Sequence, residues 1–261
     1  MIIEYHRPQN LDEALLLLSR AEPKTVPMGG GTYLNRPSAD SFAVVDLQSL
    51  GLNGLHDQGN MLGIGATLTL QELLDERQAS KKIDINLPQA LKIALSHEGT
   101  YNLRQAATVA GALVSADGRS PFATTMLALG ASLDLLPGNE RIKLGDLLPL
   151  REERLRGRLI TQVIMPLNVQ LSYQSVARSP ADLPIVCAAV AKWPSGRTRV
   201  ALGGYGEIPV LAFDGTESGG ADVAARSAFS QAGDEWASAD YRQEMAGLLT
   251  KRCLDEIKRS L

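Results

Sequence analysis

The chain contains few residues of the kinds that bind metals. Two cysteines occur among 261 residues, Cys187 and Cys253, and they form no Cys-x-x-Cys pair. An iron–sulfur cluster held by four thiolates therefore cannot form within this chain, and both thiols are expected to be buried or inert. The three histidines, His6, His56 and His97, stand apart from one another and from carboxylates at ligand spacing. No metal site is predicted.

Long apolar runs and clusters of basic residues are also missing. No apolar stretch reaches the roughly 18 residues needed to span a bilayer, and the N-terminus lacks the basic and apolar segments of a secretory signal. The formal net charge is −3, and the basic residues are scattered along the chain. This distribution argues against a nucleic-acid-binding protein. Without a signal segment or a membrane span in the sequence, a cytoplasmic protein in a reducing compartment is expected.

The composition is that of an ordinary globular protein. Hydrophobic residues make up 44% of the chain and charged residues 21%, with 24 glycines and 13 prolines. A chain of this length can bury a hydrophobic core and has room for two modest domains of mixed α and β structure.

Helix signals recur along the chain. Capping boxes begin at Asn10 and Thr69, and Pro88 precedes apolar residues at helical spacing that end near Gly99. An apolar helix is predicted from about Phe122 to Leu129. A helix near the C-terminus is predicted to bury one apolar face, formed by Met245, Leu248, Leu249, Cys253 and Ile257.

Strand signals lie between these helices and become denser after Pro166. Short β-branched or alternating runs predict strands at 24–28, 43–47, 61–65, 171–178, 185–193 and 199–202. The small-residue segment from Thr108 to Leu113 is also predicted to be extended. The change to shorter strands places a domain boundary near Pro166.

Two glycine elements could carry chemistry. Gly29, Gly30 and Gly31 precede Thr32, and consecutive glycines let backbone N–H groups converge on a phosphate. A plain tight turn is an equally good interpretation of this loop alone. The second element, Thr108 to Gly111, could equally be a strand edge packed closely on a neighbour. Neither matches a Walker loop or the dinucleotide-binding fingerprint.

Taken together and in order, several weak motifs resemble the FAD-binding (medium) subunits of molybdenum hydroxylases, the flavoprotein subunits of the carbon monoxide dehydrogenase and xanthine dehydrogenase family. The resemblance spans nearly the whole chain. The motifs are 29–34, 103–111, 126–131, 159–166, 201–204, 208–210 and 241–242.

This resemblance implies an α+β fold. A vanillyl-alcohol-oxidase-like (PCMH-type) FAD-binding domain would occupy residues 1–166. A smaller α+β domain of the carbon monoxide dehydrogenase flavoprotein type, with a three-stranded sheet, would occupy residues 167–261. FAD is the implied cofactor. The implied cofactor-binding residues are Gly29, Gly30, Gly31, Thr32, Tyr33, Leu34, Thr108, Ala110, Gly111, Ser115, Asp117, Ile160 and Gln174.

The chain departs from the family pattern at several polar positions. Ala110 and Ala112 stand where the family has glycine and asparagine, and Pro121 stands where an aspartate is common. Tyr33 replaces an acidic residue, and Gln174 occupies a place where some members have a lysine near the flavin. Each lost charge-assisted hydrogen bond costs about 1.5–3 kcal/mol of affinity.

The resemblance implies an oxidoreductase subunit that passes electrons through FAD and has no catalytic acid or base of its own. Its implied partners are an iron–sulfur subunit and a molybdopterin-binding subunit, and no membrane span or nucleic acid is implied. Two alternatives stay open. One is a scaffold of the same fold that has lost FAD, and the other is a stand-alone flavin oxidoreductase, for which the sequence offers no acid/base cluster.

Overall fold

The computed structural model describes residues 1–35, 40–75 and 86–259, and the chain divides into two compact units. The first comprises Met1–Ile85, Tyr101–Ser115 and Ser132–Ile164. The second comprises Asn86–Thr100, Ala116–Ala131 and Met165–Leu261. Both mix helices and strands, as an α+β fold requires. The domain boundary near Pro166 stays a prediction, and each unit draws on more than one stretch of chain.

A small parallel sheet in the first unit supports the first glycine loop. Its strands are β1 Ile2–His6, β2 Thr25–Met28 and β3 Phe42–Asp46. They lie in the order β1-β3-β2, and β3 is buried at every residue. Two of the strands confirm predictions, and the glycine loop follows directly after β2.

A second sheet of the first unit has five strands. They are β4 Leu55–Asp57, β5 Met61–Gly65, β6 Ser132–Leu136, β7 Glu140–Lys143 and β8 Leu159–Pro166. Their order in the sheet is β4-β5-β8-β6-β7. The helices of this unit are α1 Leu11–Ser19, α2 Leu70–Leu74, α4 Tyr101–Ala106, α5 Val109–Val114, α7 Leu144–Leu147 and α8 Arg151–Arg154.

The two predicted capping boxes differ in detail. Thr69 caps α2 through a complete box, because its Oγ1 accepts from the Glu72 backbone N–H and the Glu72 carboxylate accepts from Thr69 N–H. Asn10 caps α1 by accepting from Glu13 N–H at 2.9 Å. The Glu13 carboxylate accepts from the N–H of Gln9, one residue earlier than a box requires.

The prediction that Thr108 to Leu113 is extended is wrong. Thr108 alone has an extended backbone, and its hydroxyl oxygen accepts from Gly111 N–H to cap α5. A threonine cap followed by small residues fits the start of a helix as well as a strand edge, and the cap decides the outcome here.

The second unit is built on a four-stranded antiparallel sheet. Its strands are β9 Gln170–Val176, β10 Val186–Lys192, β11 Thr198–Gly203 and β12 Val210–Gly215, in the order β12-β11-β10-β9. The sheet therefore has one strand more than the three that the resemblance implied. The additional strand, β12, lies at an edge of the sheet and none of its residues is fully buried, although Val210 to Phe213 are all apolar. The helices are α3 Gln89–His97, α6 Pro121–Leu129, α9 Ala221–Ala228 and α10 Ala239–Arg259.

The buried face of α10 differs from the predicted one. Leu249, Cys253 and Ile257 are buried, but Leu248 is 38% exposed, since successive residues of a helix point about 100° apart. Arg242 extends the buried face instead. Its fully buried guanidinium donates to the carbonyls of Ile185 and Ala232 and to the Asp234 carboxylate, among other acceptors. In the described residues, no helix is both long and apolar enough to cross a membrane.

Candidate functional site

The first glycine loop leaves its backbone donors free. In the described part of the chain, the N–H groups of Gly29, Gly30, Gly31 and Thr32 donate to no protein acceptor. Gly31 has a φ of 68°, a conformation that favours glycine. A row of unused N–H groups on a loop after a strand is an arrangement that binds anions.

Two of these glycines are required by the close approach of the second glycine element. A β-carbon at Gly30 would overlap the carbonyl oxygen of Ala106, and one at Gly29 would lie 2.5 Å from Thr108 Oγ1. The two glycine elements therefore face each other within the first unit. This packing accounts for Gly29 and Gly30 without a ligand, so the phosphate-binding role of the first loop stays a prediction.

The second glycine element differs from the first, because its backbone N–H groups already donate hydrogen bonds within the protein. The N–H of Val109 donates to Leu68 O at 2.8 Å, and that of Ala110 to Ala66 O at 3.2 Å. Gly111 N–H donates to Thr108 Oγ1, and the Ser115 hydroxyl donates to Gly111 O. Since these groups are occupied within the protein, a ligand here can meet this wall only through its side chains and carbonyls.

A cavity of about 80 Å³ lies between the two elements. It has room for only part of a dinucleotide. Five predicted residues meet in its lining, namely Gly29, Thr108, Ala110, Gly111 and Ile160. The other lining residues are Pro27, Leu47, Ala66, Val114, Leu155, Arg158 and Leu159. Arg158 is the one charged side chain in this set.

The remaining predicted residues of the first unit lie outside the lining of the cavity. Gly30, Gly31 and Thr32 continue the first loop, and Tyr33 beyond them is 50% exposed. Leu34 follows Tyr33 in the same turn. Contacts between these residues and a cofactor stay predictions, as does the role of Ser115.

Asp117 and Gln174 belong to the second unit, where both have protein partners. Asp117 Oδ1 accepts from Arg119 N–H at 2.8 Å. The Gln174 amide donates to Glu256 Oε2 at 3.0 Å, which holds it against α10. Their assignment to the cofactor site stays a prediction.

Arg158 was missed in the sequence because no motif marks it. It follows Gly157, whose φ is 68°, and directly precedes β8, the strand that contributes the predicted Ile160. A basic residue between a turn and a strand resembles many surface residues. Only its position beside the cavity makes it informative.

A partly buried carboxylate lies in the second unit. Glu98, which ends α3, accepts from the Ser120 hydroxyl and from Phe122 N–H, each at 2.8 Å. Pro121, at the position where the family commonly has an aspartate, is the first residue of α6. An acidic group at a helix N-terminus is favourable, and here it comes from α3.

Burial raises the pKa of Glu98 to about 7, and nearby Asp117 adds to the rise. The hydrogen bonds from Phe122 and Ser120 oppose it. The two cysteines are buried as expected and form no disulfide. Burial raises the pKa of each thiol to about 12, so neither reacts as a thiolate near neutral pH.

Comparison with known proteins identifies the family of the N-terminal part. Residues 1–168 match the model of the FAD binding domain in molybdopterin dehydrogenase. This match covers more than half of the chain and includes both glycine elements.

Curated relatives extend the similarity over nearly the full length. The carbon monoxide dehydrogenase medium chain of Afipia carboxidovorans is 25% identical, over 98% of this chain and 96% of its own. The glyceraldehyde dehydrogenase medium chain of Sulfolobus acidocaldarius is 24% identical, over 97% of both chains. The uncharacterized protein YgfM of Escherichia coli is 27% identical, over 95% of this chain and 94% of its own.

Solved structures share the fold. A chain of the Cu,Mo-CO dehydrogenase superposes with a TM-score of 0.80 at 21% identity, covering 100% of this chain and 99% of its own. A chain of quinoline 2-oxidoreductase from Pseudomonas putida 86 gives a TM-score of 0.77 at 21% identity, covering 100% and 98%. With the match of the family model, the two facing glycine elements and this shared fold lead to one conclusion: the chain belongs to the family of FAD-binding domains found in molybdopterin dehydrogenases.

Proposed function

We propose that this FAD-binding medium subunit carries electrons within a molybdenum-containing dehydrogenase complex, from iron–sulfur clusters through FAD to an acceptor. Its relatives are named as medium chains of carbon monoxide and glyceraldehyde dehydrogenases, which supports an oxidoreductase role for the complex. The cytoplasm is the location we expect for it.

The observation that carries this proposal is the unused row of N–H groups at Gly29 to Thr32, opposite a wall of small residues. A diphosphate needs several donors that can approach without hindrance from β-carbons. The loop meets both needs, since its N–H groups are free and its glycines allow the second element to approach. The residues present therefore fit the diphosphate of FAD.

The chain would bind and position FAD rather than act on a substrate. The first loop would donate to the diphosphate, while Thr108, Ala110, Gly111 and Ile160 would exclude water from it. When bound, FAD supplies the oxidation–reduction chemistry. Because alanines replace the glycine and the asparagine of the usual family pattern in the second element, this wall would hold the cofactor mainly by packing.

Electrons must reach this subunit from another polypeptide. The sequence has two cysteines in all, and both are buried, so the chain lacks the four thiolates of an iron–sulfur cluster. A neighbouring iron–sulfur subunit and a molybdopterin-binding subunit would supply the centres that the chain lacks.

FAD content tests this proposal directly. We expect the purified chain, reconstituted with excess FAD and then freed of unbound flavin, to retain about one FAD per chain. Absorbance of the flavin released by denaturation, compared with protein concentration, measures this ratio. A chain that stays folded but retains no flavin would instead support the scaffold that has lost its cofactor.

A further inference from the structure

The cavity beside the first glycine loop has one charged side chain in its lining, Arg158, which is held by residues that are not part of that lining. Arg158 Nη2 forms an ion pair with Glu140 Oε2 at 2.8 Å. The same Nη2 lies 3.4 Å from Pro137 O. The Arg158 side chain is 19% exposed, so most of it is covered by protein.

The rest of this guanidinium is unused. In the described residues, Arg158 Nε and Nη1 donate to no protein acceptor. A partly buried arginine normally uses several of its five donors, because leaving them unpaired away from water is costly. An anion in the cavity would accept from these groups.

The surrounding charges leave a positive balance. Glu140 is shared with a second arginine, since Arg154 Nη1 lies 3.9 Å from Glu140 Oε1. Two arginines around one carboxylate leave one net positive charge next to the cavity. Arg154 is 47% exposed and is not part of the lining.

We infer that Arg158 binds the FAD diphosphate through the guanidinium N–H groups that its contacts with Glu140 and Pro137 leave unused. This inference rests on the proposed function, because it needs FAD to occupy the cavity. The planar guanidinium forms paired hydrogen bonds to phosphate oxygens that a lysine cannot reproduce. The neutral N–H groups of the first loop and the charge of Arg158 would then bind the diphosphate together.

Binding titrations of three substitutions test this inference. We expect Arg158→Gln to raise the Kd for FAD about tenfold, as the loss of one charge-assisted hydrogen bond predicts. Arg158→Lys should give a smaller rise, because it keeps the charge. Arg154→Gln, the matched control, should leave the Kd within about twofold.

Two further measurements separate cofactor positioning from a structural role. Riboflavin lacks the diphosphate, so its affinity should be the same in Arg158→Gln as in the unmodified chain. Glu140→Gln breaks the same ion pair but leaves the cation, so it should not weaken FAD binding by more than about twofold. If the ion pair matters only for the fold, Glu140→Gln and Arg158→Gln should weaken FAD binding equally.

The outcomes distinguish this inference from the proposed function. Failure of the unmodified chain to bind FAD would contradict the proposed function itself. If the unmodified chain binds FAD and Arg158→Gln binds it equally well, the inference about Arg158 is overturned. Equal loss of FAD and riboflavin affinity in Arg158→Gln would also overturn it.

Discussion

Two neighbouring glycines in the first loop have different physical roles. Gly30 is a glycine because the carbonyl of Ala106 occupies the space of a β-carbon. Gly31 is a glycine because of its φ of 68°, and a β-carbon there would lie 3.5 Å from the nearest atom, Met28 Sδ. Gly30→Asp would therefore combine a steric clash with a charge effect, whereas substitutions at Gly31 have room.

A pair of Gly31 substitutions isolates the charge effect. Asparagine and aspartate have similar shapes, and both enter the left-handed region more readily than other side chains. If the loop binds a diphosphate, Gly31→Asp should raise the Kd for FAD about tenfold above that of Gly31→Asn, because of like-charge repulsion. Flavin fluorescence titration at low salt measures both. Equal values would place the diphosphate away from this loop.

The predictability of the site also differs from residue to residue. The glycines and Thr108 were assigned to the site through the resemblance to the family, because a glycine run alone also suits a tight turn and the segment from Thr108 to Gly111 also suits a strand edge. The unused N–H groups at Gly29 to Thr32 and the position of Arg158 were not predictable. They depend on which groups find partners in three dimensions, and no local pattern records that.

Among the elements, α3 and α6 are joined by Glu98, whose carboxylate accepts from Ser120 and Phe122. Its raised pKa has a consequence for stability. The folded protein holds the proton up to about pH 7, whereas an unfolded chain loses it near the ordinary value of 4.5. The folded state therefore binds more protons between these pH values, and stability falls as pH rises through this window.

We expect the free energy of unfolding to decrease by about 1–3 kcal/mol between pH 4.5 and pH 7 because of Glu98. The upper value follows from the size of the pKa shift, and partial exposure of the residue lowers it. Above about pH 7 this contribution should be constant. Urea unfolding at a series of pH values, followed by circular dichroism, measures the slope.

Glu98→Gln should remove this slope while keeping an acceptor for Phe122 N–H. Glu235→Gln, at an exposed position, is the matched control and should retain the slope of the unmodified protein. An unchanged slope in Glu98→Gln would show that another group causes the pH dependence.

Predictions of helices, caps and strands were confirmed where residues close together in the sequence favour a single kind of local structure. The cap at Thr69, the strand at Met61–Gly65 and the apolar helix near Phe122 all follow from residues within a few positions of one another. The sequence predicts a strand in place of α5 because Thr108 and Val109 favour both states. Strand β12 was missed although Val210 to Phe213 are apolar, because this run is short and its pairing with β11 is a tertiary contact.

At the scale of the whole molecule, the proposed function requires partner chains. We expect the protein, co-expressed with neighbouring reading frames from its source, to co-elute with polypeptides that contain iron and molybdenum. A specific interface should bury at least about 1,000 Å². Size-exclusion chromatography with metal analysis of each fraction tests this, with the chain expressed alone as the control.

The opposite result would be equally clear. A chain that elutes alone, contains FAD and oxidises a small substrate without iron or molybdenum would be a stand-alone flavin oxidoreductase. In that case the electron-transfer proposal would be wrong, whereas family membership and the FAD site would stand.

Because each unit is formed by several separate stretches of the sequence, recombination between relatives can easily divide a unit. Helix α6 buries all nine of its residues, and it packs on β10 and β11, while α3 packs on β9. A single crossover at residue 166 between two relatives would take these helices from one parent and the strands from the other. Residues that pack together in one core would then come from different parents. The chain is therefore expected to be inherited whole and not as two exchangeable modules.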